Sequence, residues 1–169
     1  MKKSNGFTLV EMLTVLSIVA IMTTLVLPGL AQLTRKQQLQ SARQNLVDAA
    51  QMARSTAVND GTLTVMCGSA DGQHCDNNKR WEGHVLVFTD KDHNHDLNGN
   101  DTLLFNQALS NGFLLGTRSS LEFNGTGGGY MGSWLYCARS RPLSETSFKL
   151  VVSLGGRIRT EATTQTNCG

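Results

Sequence analysis

The chain has 169 residues and a formal charge of +2, with 17% charged and 40% hydrophobic residues. That length allows one membrane helix and one further domain of about 110–130 residues, enough for a real core, and leaves no room for a second such domain. Without Lys2 and Lys3 the bases and acids balance, so this is not a basic protein overall and its charge alone does not point to a polyanionic partner.

The first thirty residues, MKKSNGFTLVEMLTVLSIVAIMTTLVLPGL, organise the rest. Lys2 and Lys3 come first, then Gly6-Phe7, then a long apolar run with one acid, Glu11, near its start. No charged residue follows Glu11 until Arg35, a stretch of 23 residues, and about 20 apolar residues span a bilayer as a helix. A lone carboxylate inside such a run costs about 2.5–3.5 kcal/mol on insertion scales, so Glu11 calls for a positive partner, most simply one supplied by another copy of the helix. The positive-inside rule puts the amino terminus in the cytoplasm and the rest of the chain on the far side, although Arg35 and Lys36 there weaken the asymmetry. No A-x-A-like cleavage site follows the apolar core, which argues against a secretory signal peptide.

The run Gly6-Phe7-Thr8-Leu9-Val10-Glu11 resembles the leader signal of type IV pilins and pseudopilins. The resemblance implies that a prepilin peptidase removes residues 1–6, cutting between Gly6 and Phe7, and that Phe7 is then N-methylated. It implies that Glu11 pairs with the Phe7 amine of a neighbouring subunit during assembly, and that Pro28 is the proline that bends many pilin helices. Residues 7–30 become the transmembrane and assembly half of a helix in the inner membrane. The amino terminus is then cytoplasmic and the remaining domain periplasmic, until the subunit enters a filament.

Beyond Pro28 the helical pattern continues. Leu39, Ala42, Leu46, Ala49, Ala50, Ala53 and Ala57 recur at three- and four-residue steps, with Gln38, Arg43, Gln44, Asp48, Gln51 and Arg54 between them. This predicts an amphipathic half-helix over 31–58 with a narrow, small-residue face suited to packing on a sheet. Asn59-Asp60-Gly61 reads as its stop. Residues 59–169 then form a β-rich domain. Short strands are expected at 63–67, 84–89, 102–109, 113–117, 121–123, 133–138, 148–154 and 157–161, between turn signals. The segment 68–80 reads as a polar loop, 125–132 as a glycine-rich irregular loop, and Gly155-Gly156 as a two-residue hairpin turn. A long helix followed by antiparallel strands is an α+β fold with the helix packed on sheet.

Cys67, Cys75, Cys137 and Cys168 all follow the apolar span, on the side expected to be oxidising, so two disulfides are expected. Three connectivities are open. We favour Cys67–Cys75, closing a short polar loop, with Cys137–Cys168, tying the tail to a strand. The spacings lack a C-x2-C pair, which counts against zinc.

Three constellations bear on function. Asp90, Asp92, Asn94 and Asp96 alternate like the oxygen ligands of a calcium loop, but His95 stands where an EF-hand has glycine and Asp101 replaces its bidentate glutamate. A polar turn with Asx caps is the expectation, weak calcium binding the competing one. His93 and His95, with His74 and His84 elsewhere, have no nucleophile beside them. No Ser-His-Asp order, P-loop or H-E-x-x-H appears, so neither an enzyme nor a cofactor is expected. The third constellation is Gly156-Arg157-Ile158-Arg159. On a strand, Arg157 and Arg159 share a face about 6.5–7 Å apart, close to the spacing of successive phosphates, and guanidinium forks suit phosphate oxygens. Arg139, Arg141 and Lys149 belong to the same basic carboxyl third, opposite an acidic middle from Asp71 to Asp101.

The helix end Ala53-Arg54-Ser55-Thr56-Ala57-Val58, the turn Phe88-Thr89-Asp90-Lys91-Asp92-His93-Asn94 and the G-R-x-R turn resemble the GspH/FimT family of pilin-like proteins. In FimT-like members G-R-x-R binds DNA during natural transformation, which implies Arg157 and Arg159 as contacts to double-stranded DNA. The alternative is a structural priming subunit, of the FimU type in a pilus or the GspH type in type II secretion. Either way the expected partners are other pilins or pseudopilins, the prepilin peptidase and the inner membrane.

Overall fold

Alanine spacing governs how the helix meets the rest of the domain. In the computed structural model, which describes residues 8–109, 111–139, 146–164, 166 and 168, a single helix α1 runs over Leu9–Asp60. The side chains of 23–29, 31, 32 and 146 lie outside that description. Two compact units divide the chain, Met1–Gln40 and Ser41–Gly169.

In the first unit Thr8 caps the helix: its Oγ1 accepts the Glu11 N–H at 3.3 Å. Thr8-x-x-Glu11 is therefore a helix-start signal as well as part of the leader motif, and an acid in the first turn suits the positive end of the helix dipole. From Leu9 to Met22 the apolar side chains, among them Val10, Leu13, Leu16 and Ile21, are each more than half exposed within the chain. A helix that is apolar on every side is stable only when something else covers it. Among the described residues no helix is long and apolar enough to cross a membrane. The helix continues through Pro28, whose side chain, like Gly6 and Phe7, lies outside the described residues.

In the second unit Leu46, Ala49, Ala50, Ala53 and Ala57 are at most 3% exposed. They form one stripe, and their small side chains bring the helix backbone close to what it packs on. Ala42 is only half-buried, so within this unit the buried stripe begins later than the periodicity suggests.

Nine strands follow: β1 (Leu63–Ser69), β2 (Arg80–Trp81), β3 (His84–Asp90), β4 (Thr102–Ala108), β5 (Gly112–Gly116), β6 (Ser120–Phe123), β7 (Gly132–Ala138), β8 (Thr146–Val152) and β9 (Ile158–Thr164). They form two antiparallel sheets, ordered β4-β3-β1-β6 and β2-β5-β7-β8-β9. The α+β expectation holds, with the carboxyl-terminal half of the helix packed on antiparallel sheet. The division into two sheets was not read from the sequence, nor was β2, which falls at the end of the expected polar loop.

Trp81 of β2 joins the two sheets. It is 1% exposed, its ring centroid lies 5.5 Å from that of Trp134, and its Nε1 donates to the Ser119 carbonyl at 2.8 Å. Gly68 of β1 faces it, and a Cβ there would lie 2.8 Å from the Trp81 Cα. The glycine thus admits the indole.

Both favoured disulfides are present. Cys67–Cys75 spans 8 residues and Cys137–Cys168 spans 31. Cys67, Cys75, Val65, Leu86 and Phe88 make one buried cluster. Phe113, Leu135 and Cys137 make another, with Leu115 and Cys168 packed against it. Closing the longer loop removes more unfolded-chain entropy, about 3–4 kcal/mol against about 2–3 for the shorter. Chemical denaturation should therefore show a larger loss for a Cys137→Ser/Cys168→Ser variant than for loss of the short loop alone.

Candidate nucleic-acid interface

The β8–β9 hairpin carries the G-R-x-R turn, and its geometry is set by backbone pairing. β8 ends at Val152 and β9 begins at Ile158, so the connection is longer than a two-residue Gly155-Gly156 turn. The Gly156 N–H donates to the Ser153 carbonyl at 2.9 Å, and the Ser153 N–H donates to the Arg157 carbonyl at 3.1 Å. Gly156 has φ +72°, so the connection is a tight turn closed by a glycine in the left-handed region. Arg157 closes the turn rather than lying within β9. Val152 pairs with Ile158 and Val151 with Arg159. The Ser153–Arg157 pair continues that register, so Arg157 and Arg159 point to one face and Ile158 to the other. Both arginines are exposed and Ile158 is half-buried.

Gly156 is required here for a second reason. A Cβ on it would run into the Gly127 carbonyl oxygen and lie 2.8 Å from the Arg54 Nε. Arg54, on the helix, donates through Nε to that same Gly127 oxygen at 3.0 Å, and the Gly129 N–H donates to the Leu154 carbonyl at 3.1 Å. The hairpin is thus seated on the glycine-rich loop, and the helix arginine is wedged beside the motif glycine. Arg157 and Ile158, with Gln51, Arg54, Ser55, Val58 and Asn59, line an open groove of about 570 Å³.

The other basic residues are not gathered here. Lys149, half-buried on β8, pairs in register with Leu135 and Glu161. Glu161 also holds Arg159, with Oε1 2.9 Å from an Nη. Arg139 follows β7 at its far end, because Gly132, at the near end, is the residue that pairs with Val152. A strand of that length separates Arg139 from the turn by about 20 Å. Arg139 instead joins Arg80 on Glu82, at 3.4 and 2.7 Å. The Arg80 guanidinium, helped by Arg139, holds the Glu82 carboxyl below its ordinary range. Arg141 lies outside the described residues.

The acidic turn between β3 and β4 is built from its own hydrogen bonds. Asp90, fully buried, accepts the N–H groups of Asn94 and His95 at 3.2 and 3.0 Å. Asp92 accepts the side-chain amides of Asn98 and Asn94, and the Asn98 contact keeps its carboxyl below the ordinary range. His93 and His95 have φ +60° and +64°, so His95 takes the glycine-like conformation that an EF-hand needs at that place. Of the expected acids, Asp90 and Asp92 are brought together and Asp96 is not. Asp101 joins Asp90 and Asp92 within 4.8 Å, while Asp96 turns away to accept the Cys75 N–H. Asx caps at Asp92, Asn94 and Asn98 brace the turn.

The histidines are dispersed. His95 pairs with Glu122 at 3.2 Å, His84 bonds Asn106 at 2.8 Å, and His74 bonds Asp71 at 3.0 Å. The last contact raises the His74 pKa and lowers that of Asp71.

Comparison with known proteins gives two sequence matches. The profile of the family described as Type II transport protein GspH matches residues 42–156, and that of the prokaryotic N-terminal methylation motif matches residues 1–27. The family match stops immediately before Arg157. No curated protein matches. Among solved structures, the chain is similar to the type IV minor pilin FimU of Pseudomonas aeruginosa PAO1 in two crystal forms. One is 18% identical with a TM-score of 0.57, covering 76% of this chain and 91% of FimU. The other is 19% identical with a TM-score of 0.55, covering 73% and 92%. At these identities the likeness is one of fold.

Two tests follow from this geometry. Gly156→Ala should destabilise the domain by about 1–2 kcal/mol from its positive φ alone and more from the Gly127 contact, whereas Gly155→Ala, whose Cβ meets nothing within 4 Å, should stay within about 0.5 kcal/mol in the same denaturant titration. For the ion pair, a histidine raised by a partner adds stability that is fully present below its ordinary pKa and is lost as pH rises through the raised value. An NMR titration should place the His74 midpoint above 6.5, and Asp71→Asn should bring it back toward that value.

Proposed function

The chain belongs to the GspH family, as a type IV minor pilin or pseudopilin, and from that premise we propose that it binds double-stranded DNA for uptake in natural transformation through Arg157 and Arg159. Family and fold are those of structural subunits that assemble with other pilins. The observation that carries the DNA reading is the pair of arginines on one exposed face of an edge hairpin, held there by a glycine that the packing requires. β9 is an outer strand of its sheet, so nothing within the described part of that sheet stands beyond it. Contact is to phosphates and is indifferent to sequence.

Assembly follows the leader motif. Prepilin peptidase removes residues 1–6, Phe7 is N-methylated, and residues 7–30 hold the subunit in the inner membrane with the β domain periplasmic. The exposed apolar side chains of Leu9–Met22 support this, because they need lipid or neighbouring helices around them. Glu11 then meets the Phe7 amine of a neighbour, and Pro28 allows the helix to bend in the filament.

One observation favours the second reading, a priming subunit without a DNA role in a pilus or a type II secretion filament: Arg159 is already paired with Glu161. The test is a DNA titration of the full chain in non-ionic detergent at several salt concentrations. Wild type is expected to bind, with log K falling as salt rises. A folded Arg157→Gln/Arg159→Gln variant should lose two phosphate contacts and flatten the slope by about 1.8. Unchanged binding by that variant, or no binding by the wild type at low salt, would leave the priming subunit as the function.

A further inference from the structure

We infer that Arg54, on the helix, supplies a third phosphate-binding guanidinium, which extends the G-R-x-R turn into the groove between α1 and the β8–β9 hairpin. The inference rests on the DNA reading above and adds a residue and a path to it.

Position comes first. The Arg54 Nε stands 2.8 Å from where a Cβ of Gly156 would be, so its guanidinium abuts the residue just before Arg157. Arg157 lines the same groove as Arg54, and Arg159 stands two residues further along the strand, outside it. Two of them come from the strand side and the third crosses from the helix. Gly156 has no side chain, and that is what lets the third approach.

Donor count comes second. A guanidinium carries five N–H donors. The Gly127 carbonyl takes one of them, through Nε. That bond fixes the plane of the group and leaves the two terminal nitrogens as a fork, the arrangement that meets two phosphate oxygens together.

Surrounding charge comes third. The groove is lined by Gln51, Arg54, Ser55, Val58, Asn59, Arg157 and Ile158, with no carboxylate among them. Gln51 and Asn59 offer further neutral donors along it, while the Ser55 hydroxyl is already given to the Met52 carbonyl. Among the described residues neither Arg54 nor Arg157 is ion-paired, whereas Arg159 is tied to Glu161. A second groove, lined by Lys79 and Arg118, also contains Glu122. The Arg54 groove is thus the more electropositive continuation of the motif, and it suits a sugar-phosphate backbone running from the hairpin onto the helix.

Arg54 also anchors the glycine-rich loop, so a loss of binding on its replacement has to be separated from a loss of fold. The full chain in detergent is titrated with a DNA duplex over a range of salt, as wild type, Arg54→Gln, Gln51→Glu and Gln73→Glu. Gln51 is exposed in the groove and is replaced by a side chain of the same size, which adds one negative charge without changing the packing. Gln73→Glu adds the same charge in the Cys67–Cys75 loop as the control. Arg54→Gln is expected to weaken binding about three- to tenfold and to flatten the salt slope by about 0.9, the share of one phosphate contact. Gln51→Glu is expected to bind more weakly than Gln73→Glu. Equal binding by these two, whatever Arg54→Gln does, would overturn the role of the groove while leaving Arg157 and Arg159 as contacts. Failure of the wild type to bind would instead remove the DNA reading itself.

Discussion

The close approach of the helix to the domain is the constraint on which the rest depends. Ala49, Ala50, Ala53 and Ala57 have no exposed surface, and nothing larger would let the helix backbone lie so near. Apolar area is not the main gain, since each alanine buries little. The gain is proximity. Because Ala53 is pressed inward, its neighbour Arg54 is carried to within hydrogen-bond reach of Gly127, a residue 73 positions away. The glycine loop is thereby fixed, the hairpin is seated on the loop, and the arginines of the hairpin are presented at the sheet edge.

The glycines serve that same proximity. Gly127 and Gly156 stand face to face, each with positive φ, and each would collide with its surroundings if it carried a side chain. A turn of this type accepts asparagine or aspartate on conformational grounds alone. The packing excludes them here, which gives the first letter of G-R-x-R a physical content that the motif does not state.

Much of this was legible in the sequence because it is local. The alanine stripe, the helix stop near Asn59, most strands and the hairpin all follow from periodicity and turn chemistry within a short window. Three disulfide pairings were open, and the one present is the one that closes the short polar loop and ties the tail to a strand. What was not legible is non-local or too brief. β2 has two residues, fewer than any alternation can reveal, and its Trp81 has meaning only against Gly68 and Trp134. The grouping of nine strands into two sheets depends on register between distant segments. The basic patch inferred from composition was too broad: Arg139 belongs to Glu82 at the other end of β7, because proximity in sequence says nothing about which end of a strand a residue occupies. Arg54 was visible as part of a helix-end motif, but only the fold shows that it stands beside the hairpin glycine.

The Arg159–Glu161 pair has a consequence apart from any ligand. β9 is an edge strand, and an edge presents unpaired backbone groups that a strand of another molecule can join. Charged side chains keep such an edge hydrated and so blunt stray pairing. β4, one of the two outer strands of the other sheet, has the sequence TLLFNQA and carries no such guard. Stray strand addition, and with it aggregation in isolation from the filament, should therefore begin at β4 and spare the hairpin edge.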